Sequence, residues 1–298
     1  VLFFPPHTIA GMALFLGCPM WGLKTWVGPF FPAGTKQRDF LAAYSRRLNT
    51  VEGNTTFYAL PDAATVQRWR DETPAGFRFC FKVPQEISHR RRLVNADDIT
   101  ADFIDRLHLL GDRRGPAFLQ LPPTFSAPHL PQLAAFLQKW PPEFQLAVEP
   151  RHADFFGRAE ADFESLLREH HAVRCVFDTT ALFSLAAATS DEVHEAQARK
   201  PKFAVRRPPA EPFSFTRFVA MPEVPANETW LAPWAAHVAE GLRGGRDVYF
   251  FLHHPDDTHA PAVARLMHRL ISQHVDVPAL PEWGEDGGHE APAQASLF

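Results

Sequence analysis

Eight short apolar runs, each separated from the next by a stretch of largely helical spacing, constrain this chain more than any other feature. The runs fall at 13–18, 48–52, 77–83, 117–121, 144–149, 173–178, 214–219 and 247–252. They are rich in Phe and Val and short enough for strands buried on both faces. Helices are predicted between and after them at 36–47, 62–72, 98–110, 128–139, 159–171, 229–243 and 257–271, with a weaker one near 190–199 before a Pro-rich loop at 208–212. Asp62 is placed to cap the second helix, and Asp97 or Asp98 the third. Eight strands alternating with helices is the arithmetic of an α/β chain folded as one (β/α)8 barrel, a TIM barrel. The rival is a doubly wound sheet, whose first strand feeds a Gly-rich phosphate turn. Here the first strand runs into a stiff Pro- and Trp-rich segment, Gly17 to Pro32.

Composition narrows the class. Of 298 residues, 46% are hydrophobic and 21% charged, which excludes disorder across the chain. Lys and Arg number 30 against 34 Asp and Glu, a net charge of −4 that argues against a general polyanion binder but leaves room for a local basic site. Cys18, Cys80 and Cys175 form neither a disulfide framework nor a zinc ribbon, and with no apolar run long enough to span a membrane the expected location is cytoplasmic. Residues 9–18 resemble a short export signal ending in a lipid-attachment cysteine. No basic segment precedes them, and the first strand is the preferred reading. The expected division is a barrel over 1–280 and a flexible tail over 281–298, polar and rich in Gly, Pro and Ala.

Barrel active sites lie at the C-terminal ends of the strands. Read there, the chain offers Trp21 after the first strand, Glu52 and Asn54 at the second, and Lys82 and His89 at the third. Gln120 follows at the fourth, Glu149, Arg151 and His152 at the fifth, Asp178 at the sixth, Arg217 at the seventh, and His253 with His254 at the eighth. Period-two phase puts Lys82 with Cys80, Glu149 with Ala147 and Asp178 with Val176, all read as facing one way. Burying so many charges is costly without a ligand or reciprocal pairing. Such clusters mark functional sites, and the bland alternative is an ion-pair network closing the barrel top. Gln120 and Cys18 read as structural.

Five ordered segments carry a resemblance: Trp21 to Pro32, Asn49 to Pro61, Phe81 to His89, Gln120 to Phe125 and Val148 to His152. Over about residues 13–275 the chain resembles the domain-of-unknown-function 72 family, the YecE-like proteins. The resemblance implies a TIM barrel and no established activity. It is weaker on the C-terminal side. Where members commonly carry His-Gly after the seventh-strand Arg, this chain has Phe218-Val219-Ala220; where they carry Phe-Asn-Asn, it has Leu252-His253-His254.

Four chemistries fit the mouth residues. The first is a hydrolase or lyase acting on an anionic or phosphorylated substrate. Glu52, Glu149 and Asp178 are its candidate catalytic residues. Trp21, Asn54, Lys82, His89, Arg151, His152, Arg217 and His253 are its candidate substrate contacts, with Arg suited to phosphate and Arg90, Arg91 and Arg92 able to extend the anion site. The second adds a divalent metal on Glu52, Glu149, Asp178, His152, His253 and His254, a reading not favoured because no H-E-x-x-H or strand H-x-H occurs. The third is a glycoside hydrolase using Glu52 and Glu149, with Trp21, Trp26 and Phe57 as sugar platforms. The fourth is a non-catalytic small-ligand binder or adaptor. No P-loop, dinucleotide turn or G-x-S-x-G elbow is present. Replacing Glu149 by Gln is expected to abolish activity at little cost in stability.

The chain closes on Gln294-Ala295-Ser296-Leu297-Phe298. This ending resembles the peptide by which bacterial replication and repair proteins bind the sliding clamp, with Ala295 in place of the usual Leu. Gln294, Leu297 and Phe298 are the candidate partner contacts, since an apolar pair on a polar tail gains free energy only by entering a pocket. Direct nucleic-acid binding is left open.

Overall fold

A computed structural model describes residues 7–9, 12–186, 190–207 and 212–283. All eight expected strands form: β2 (Met12–Cys18), β3 (Thr50–Gly53), β4 (Arg78–Phe81), β5 (Ala117–Gln120), β6 (Leu146–Glu149), β7 (Val173–Asp178), β8 (Phe213–Val219) and β9 (Asp247–His253). They are preceded by a short strand that the sequence did not suggest, β1 (His7–Ile9), antiparallel to β2. The eight strands β2 to β9 run parallel in the order β4-β3-β2-β9-β8-β7-β6-β5. Parallel bridges from Phe79 to Arg114 and from Lys82 to Phe118 draw β4 and β5 together and nearly close the barrel.

The helices between the strands are α1 (Phe40–Ser45), α2 (Thr55–Tyr58), α3 (Ala63–Glu72), α4 (Asp97–Leu109), α5 (Leu130–Lys139), α6 (Glu160–Glu169), α7 (Thr180–Phe183), α8 (Asp191–Arg199) and α9 (Glu228–Arg243), and α10 (Ala260–Ser272) follows β9. Asp62 caps α3, its Oδ1 accepting from the Thr65 amide at 2.7 Å. The expected cap of α4 is corrected. Ala96 holds the cap position, while Asp97 and Asp98 bond Lys139 and Arg91. None of the helices described is long and apolar enough to cross a membrane.

Two apolar layers follow from strands buried on both faces. The outer layer packs between strands and helices. The inner one fills the barrel with large rings, including Phe15 stacked on Tyr249 at 4.4 Å and Phe215 tilted against Phe251 at 4.9 Å. The lower barrel is thus plugged, and polar side chains gather above the plug at the strand ends. Packing also runs past the expected boundary at 280. Trp283 is buried, edge-on to Phe30 at 5.2 Å and under the Arg265 guanidinium at 4.3 Å. The proposed clamp peptide, with Gln294, Leu297 and Phe298, lies outside the described residues.

Candidate functional site

Arg217 stands at the centre of the mouth, on the inward face of β8. Its Nε and Nη2 donate to the two oxygens of Glu52, each at 2.7 Å, and its Nη1 donates to Glu149 at 2.5 Å. One guanidinium therefore joins β3, β6 and β8. Both carboxylates are saturated beyond that. Glu52 also accepts from Asn54 Nδ2 at 2.7 Å and from His253 Nε2 at 3.0 Å. Glu149 also accepts from Gln120 Nε2 at 2.8 Å, from Arg151 Nε and from the Cys175 thiol. Each thus holds about as many donors as a carboxylate has lone-pair sites. Gly53 makes room for this layer, since a Cβ there would lie 2.1 Å from the Phe81 ring.

The cations are less well satisfied. Lys82 Nζ donates to Gln120 Oε1 at 3.0 Å and rests 3.8 Å above the Phe57 ring, with no carboxylate paired to it among the described residues. Arg151 stacks over Phe177 at 4.4 Å and spends only its Nε on Glu149. Its two terminal nitrogens have no partner among the described residues. His89 sits within a π-helical turn, Glu86–Arg90, with Nδ1 2.8 Å from Ser88 Oγ and its ring edge-on to Phe57. π-Turns of this kind recur at functional sites.

Burial alone would raise the Glu52 carboxyl, but Arg217 and His253 more than offset it and hold Glu52 well below the usual carboxylate range. Burial likewise opposes Glu149, which Arg151, Arg217 and Lys82 bring down to about 2. Desolvation, reinforced by Arg217, lowers Lys82 from 10.5 to about 8. Desolvation and the neighbouring Lys82 and Arg151 lower His89 to about 4, so its imidazole is neutral at pH 7.

The structure thus brings together Glu52, Asn54, Lys82, Glu149, Arg151, Arg217 and His253, with His89 beside Lys82. Trp21 lines a cavity of about 540 Å³ that opens beside Glu52 and Arg217. Three expected members lie elsewhere. Asp178 shares the outer face of β7 with Val176, its Oδ2 accepting from Trp234 Nε1 at 2.7 Å and its Oδ1 from the Thr180 amide. The phase was right, but that face turns toward the helices, whereas Cys175 and Phe177 face the barrel axis. His152 caps the turn Ala153–Phe156 through the Asp154 amide. Trp26 is buried in the core, its Nε1 bonded to the Asp257 carbonyl, and cannot serve as a sugar platform. The expected extension of the anion site is also corrected, since Arg90 is paired with Glu86, Arg91 is held by Glu86 and Asp98, and Arg92 by the Thr124 carbonyl and His129. The candidate metal donors are dispersed, with His254 held between Asp256 and the Pro222 carbonyl, and among the described residues no three metal-binding groups converge.

Two residues were missed. Gln120, read as structural, is the bridge from Lys82 to Glu149, and its position at a strand end was the available signal. Lys200 follows α8 and comes within electrostatic reach of Asp257, Arg217 and Arg151. Burial lowers its ammonium, and no hydrogen bond or ion pair holds it among the described residues. Nothing in the sequence around it carries a motif.

The model of the family described as "Protein of unknown function DUF72" matches residues 15–285. The chain belongs to the DUF72 family. This DUF72 chain is 34% identical over 276 residues to the UPF0759 protein YecE of Escherichia coli strain K12, covering 90% of this chain and 98% of that one. Its fold matches a DUF72 protein of Thermotoga maritima MSB8 with a TM-score of 0.65 at 20% identity, over 87% of this chain and 99% of that one. A DUF72 protein of Enterococcus faecalis V583 matches with a TM-score of 0.64 at 15% identity, over 90% and 100%. These likenesses establish the barrel and leave the chemistry to the side chains.

Proposed function

We propose that the barrel mouth binds and turns over a small anionic substrate of the phosphorylated class, as a hydrolase or lyase. One contrast carries this reading. The carboxylates are saturated, while Arg151, Lys82 and Lys200 keep donors to spare. An anion supplies the missing acceptors, and the Arg151 fork suits a phosphate oxygen pair.

Within this reading Lys82 binds the anion as a cation. With a value of about 8, on the order of nine tenths of it is charged at pH 7, and a bound anion favours that form further. Arg151 and Arg217 stabilise negative charge that develops on the substrate. Glu52 and Glu149 act through Arg217 as positioning residues. The glycoside hydrolase reading loses its support here, because it needs one protonated carboxyl and both Glu52 and Glu149 are held ionised. Calorimetric titration with inorganic phosphate tests the site. Saturable binding that falls at least ten-fold in Arg151→Met is the expected result, and no binding at millimolar phosphate refutes it. Turnover is tested on phosphorylated sugars and acids, following phosphate release and carbon–oxygen cleavage. Binding without turnover on that panel would point to the non-catalytic ligand carrier instead.

The ending Gln294-Ala295-Ser296-Leu297-Phe298 favours a second, separate reading, a bacterial sliding clamp as partner. A peptide of the last ten residues is expected to bind the clamp saturably, and to lose binding when Leu297 and Phe298 become Ala.

A further inference from the structure

The cavity of about 540 Å³ beside Glu52 lies on the β9–β2–β3 side of the mouth, away from Lys82 and Arg151. Its walls are aromatic. Trp21 is fixed edge-on by Trp69 at 5.1 Å and by Phe79 at 6.2 Å, so it forms a rigid platform. Tyr58 stands at the cavity with 74% of its surface exposed, by far the most exposed large apolar side chain among the described residues. Between these rings lie polar groups with unused capacity. Both Nδ2 hydrogens of Asn54 are taken by Pro19 and Glu52, which leaves its Oδ1 as an acceptor. One oxygen of Asp257 accepts from the His254 amide and the other has no partner among the described residues. The Trp21 indole N–H, the Gln37 amide and the Tyr58 hydroxyl add donors and acceptors without partners among the described residues.

A hydrocarbon ring would leave those groups unpaired, at a cost. A hydroxylated ring matches them, because each hydroxyl both donates and accepts while its C–H face lies on an aromatic ring. Arg217 links the cavity to the anion site. It borders the cavity, and Arg217 and Arg151 hold opposite oxygens of the same Glu149 carboxylate. We infer that the mouth is a two-part site, in which the cavity of Trp21 and Tyr58 holds the hydroxylated ring of a sugar phosphate whose phosphate lies on Arg151 and Lys82. This inference rests on the anion-site reading above and names its substrate class.

Titration calorimetry with inorganic phosphate, ribose 5-phosphate and glucose 6-phosphate separates the two. At least one sugar phosphate is expected to bind ten-fold or more tightly than inorganic phosphate. Tyr58→Ala, at an exposed position, is expected to remove most of that gain while leaving phosphate binding within two-fold, and Trp21→Leu to do the same in protein whose Tm shows it folded. Sugar phosphates that bind no better than phosphate overturn the ring subsite and leave the anion site standing. A sugar phosphate advantage untouched by both variants also overturns it. Absence of binding by all three probes overturns the anion site and this inference together.

Discussion

Lys82 sets the terms at the residue scale. It is a nearly buried ammonium with a carbonyl oxygen and a ring for neighbours, and nothing of opposite charge bonded to it. Such a residue costs stability, so Lys82→Met is expected to hold or raise Tm while phosphate binding falls at least ten-fold. A Tm loss with binding intact would make the lysine structural. Its folded value of about 8 lies below the ordinary 10.5. Below pH 8 the cost of the buried charge is fully present, and it fades between 8 and 10.5 as the folded form sheds its proton first. The wild-type protein should therefore gain about 3 kcal/mol on Lys82→Met across that window, read from urea midpoints. Glu149 behaves in the opposite sense. Its stabilisation is present above pH 4.5 and is lost as pH falls toward 2. The expectation that Glu149→Gln costs little stability is replaced, in view of the partners of Glu149, by that of a larger cost. Weakening a buried acceptor of two guanidinium groups costs about 3–5 kcal/mol, on the order of 10 °C in Tm. A melting curve superimposable on wild type would refute this.

At the scale of elements, the decisive quantity is which face of each strand points inward. On β3 the inward position before the loop is Glu52, and Gly53 gives Phe81 space to pack behind it. Gly53→Ala is expected to cost about 1–3 kcal/mol of overpacking and to weaken phosphate binding by displacing Glu52 and with it Arg217. A gain in stability would show that the Phe81 ring can yield. All eight barrel strands were legible in the sequence, because each is a short apolar run bounded by turn residues. The charged mouth was legible too, since Lys82, Glu149 and Arg217 break otherwise apolar runs. Phase was legible, but the direction of the inner face was not. Asp178 and Glu149 both end their strands, yet only Glu149 faces the axis, because β7 carries one more strand residue past the inward Phe177. Lys200 was invisible for another reason, since its electrostatic neighbours Asp257, Arg217 and Arg151 are distant in sequence, a long-range outcome with no local period.

At the scale of the whole molecule, the last described residue is clasped against an early loop. Trp283 packs on Phe30 from the loop after β2, and on Arg265 from α10. Trp283→Ala is expected to cost about 3 kcal/mol, visible as a lower Tm with phosphate affinity unchanged; a loss of affinity would mean that the clasp also shapes the mouth. The guanidinium of Arg217 has a larger reach than its role in the mouth suggests. It draws Glu52 from the first four barrel strands and Glu149 from the last four into one bonded unit. A barrel of repeated strand–helix units could in principle come apart into halves, each keeping its own packing. Here separation strands Glu52 without its guanidinium on one side and leaves Arg217 half-neutralised on the other. Neither half-barrel is a good resting state, so the molecule should assemble and melt as one cooperative body, in a single calorimetric transition.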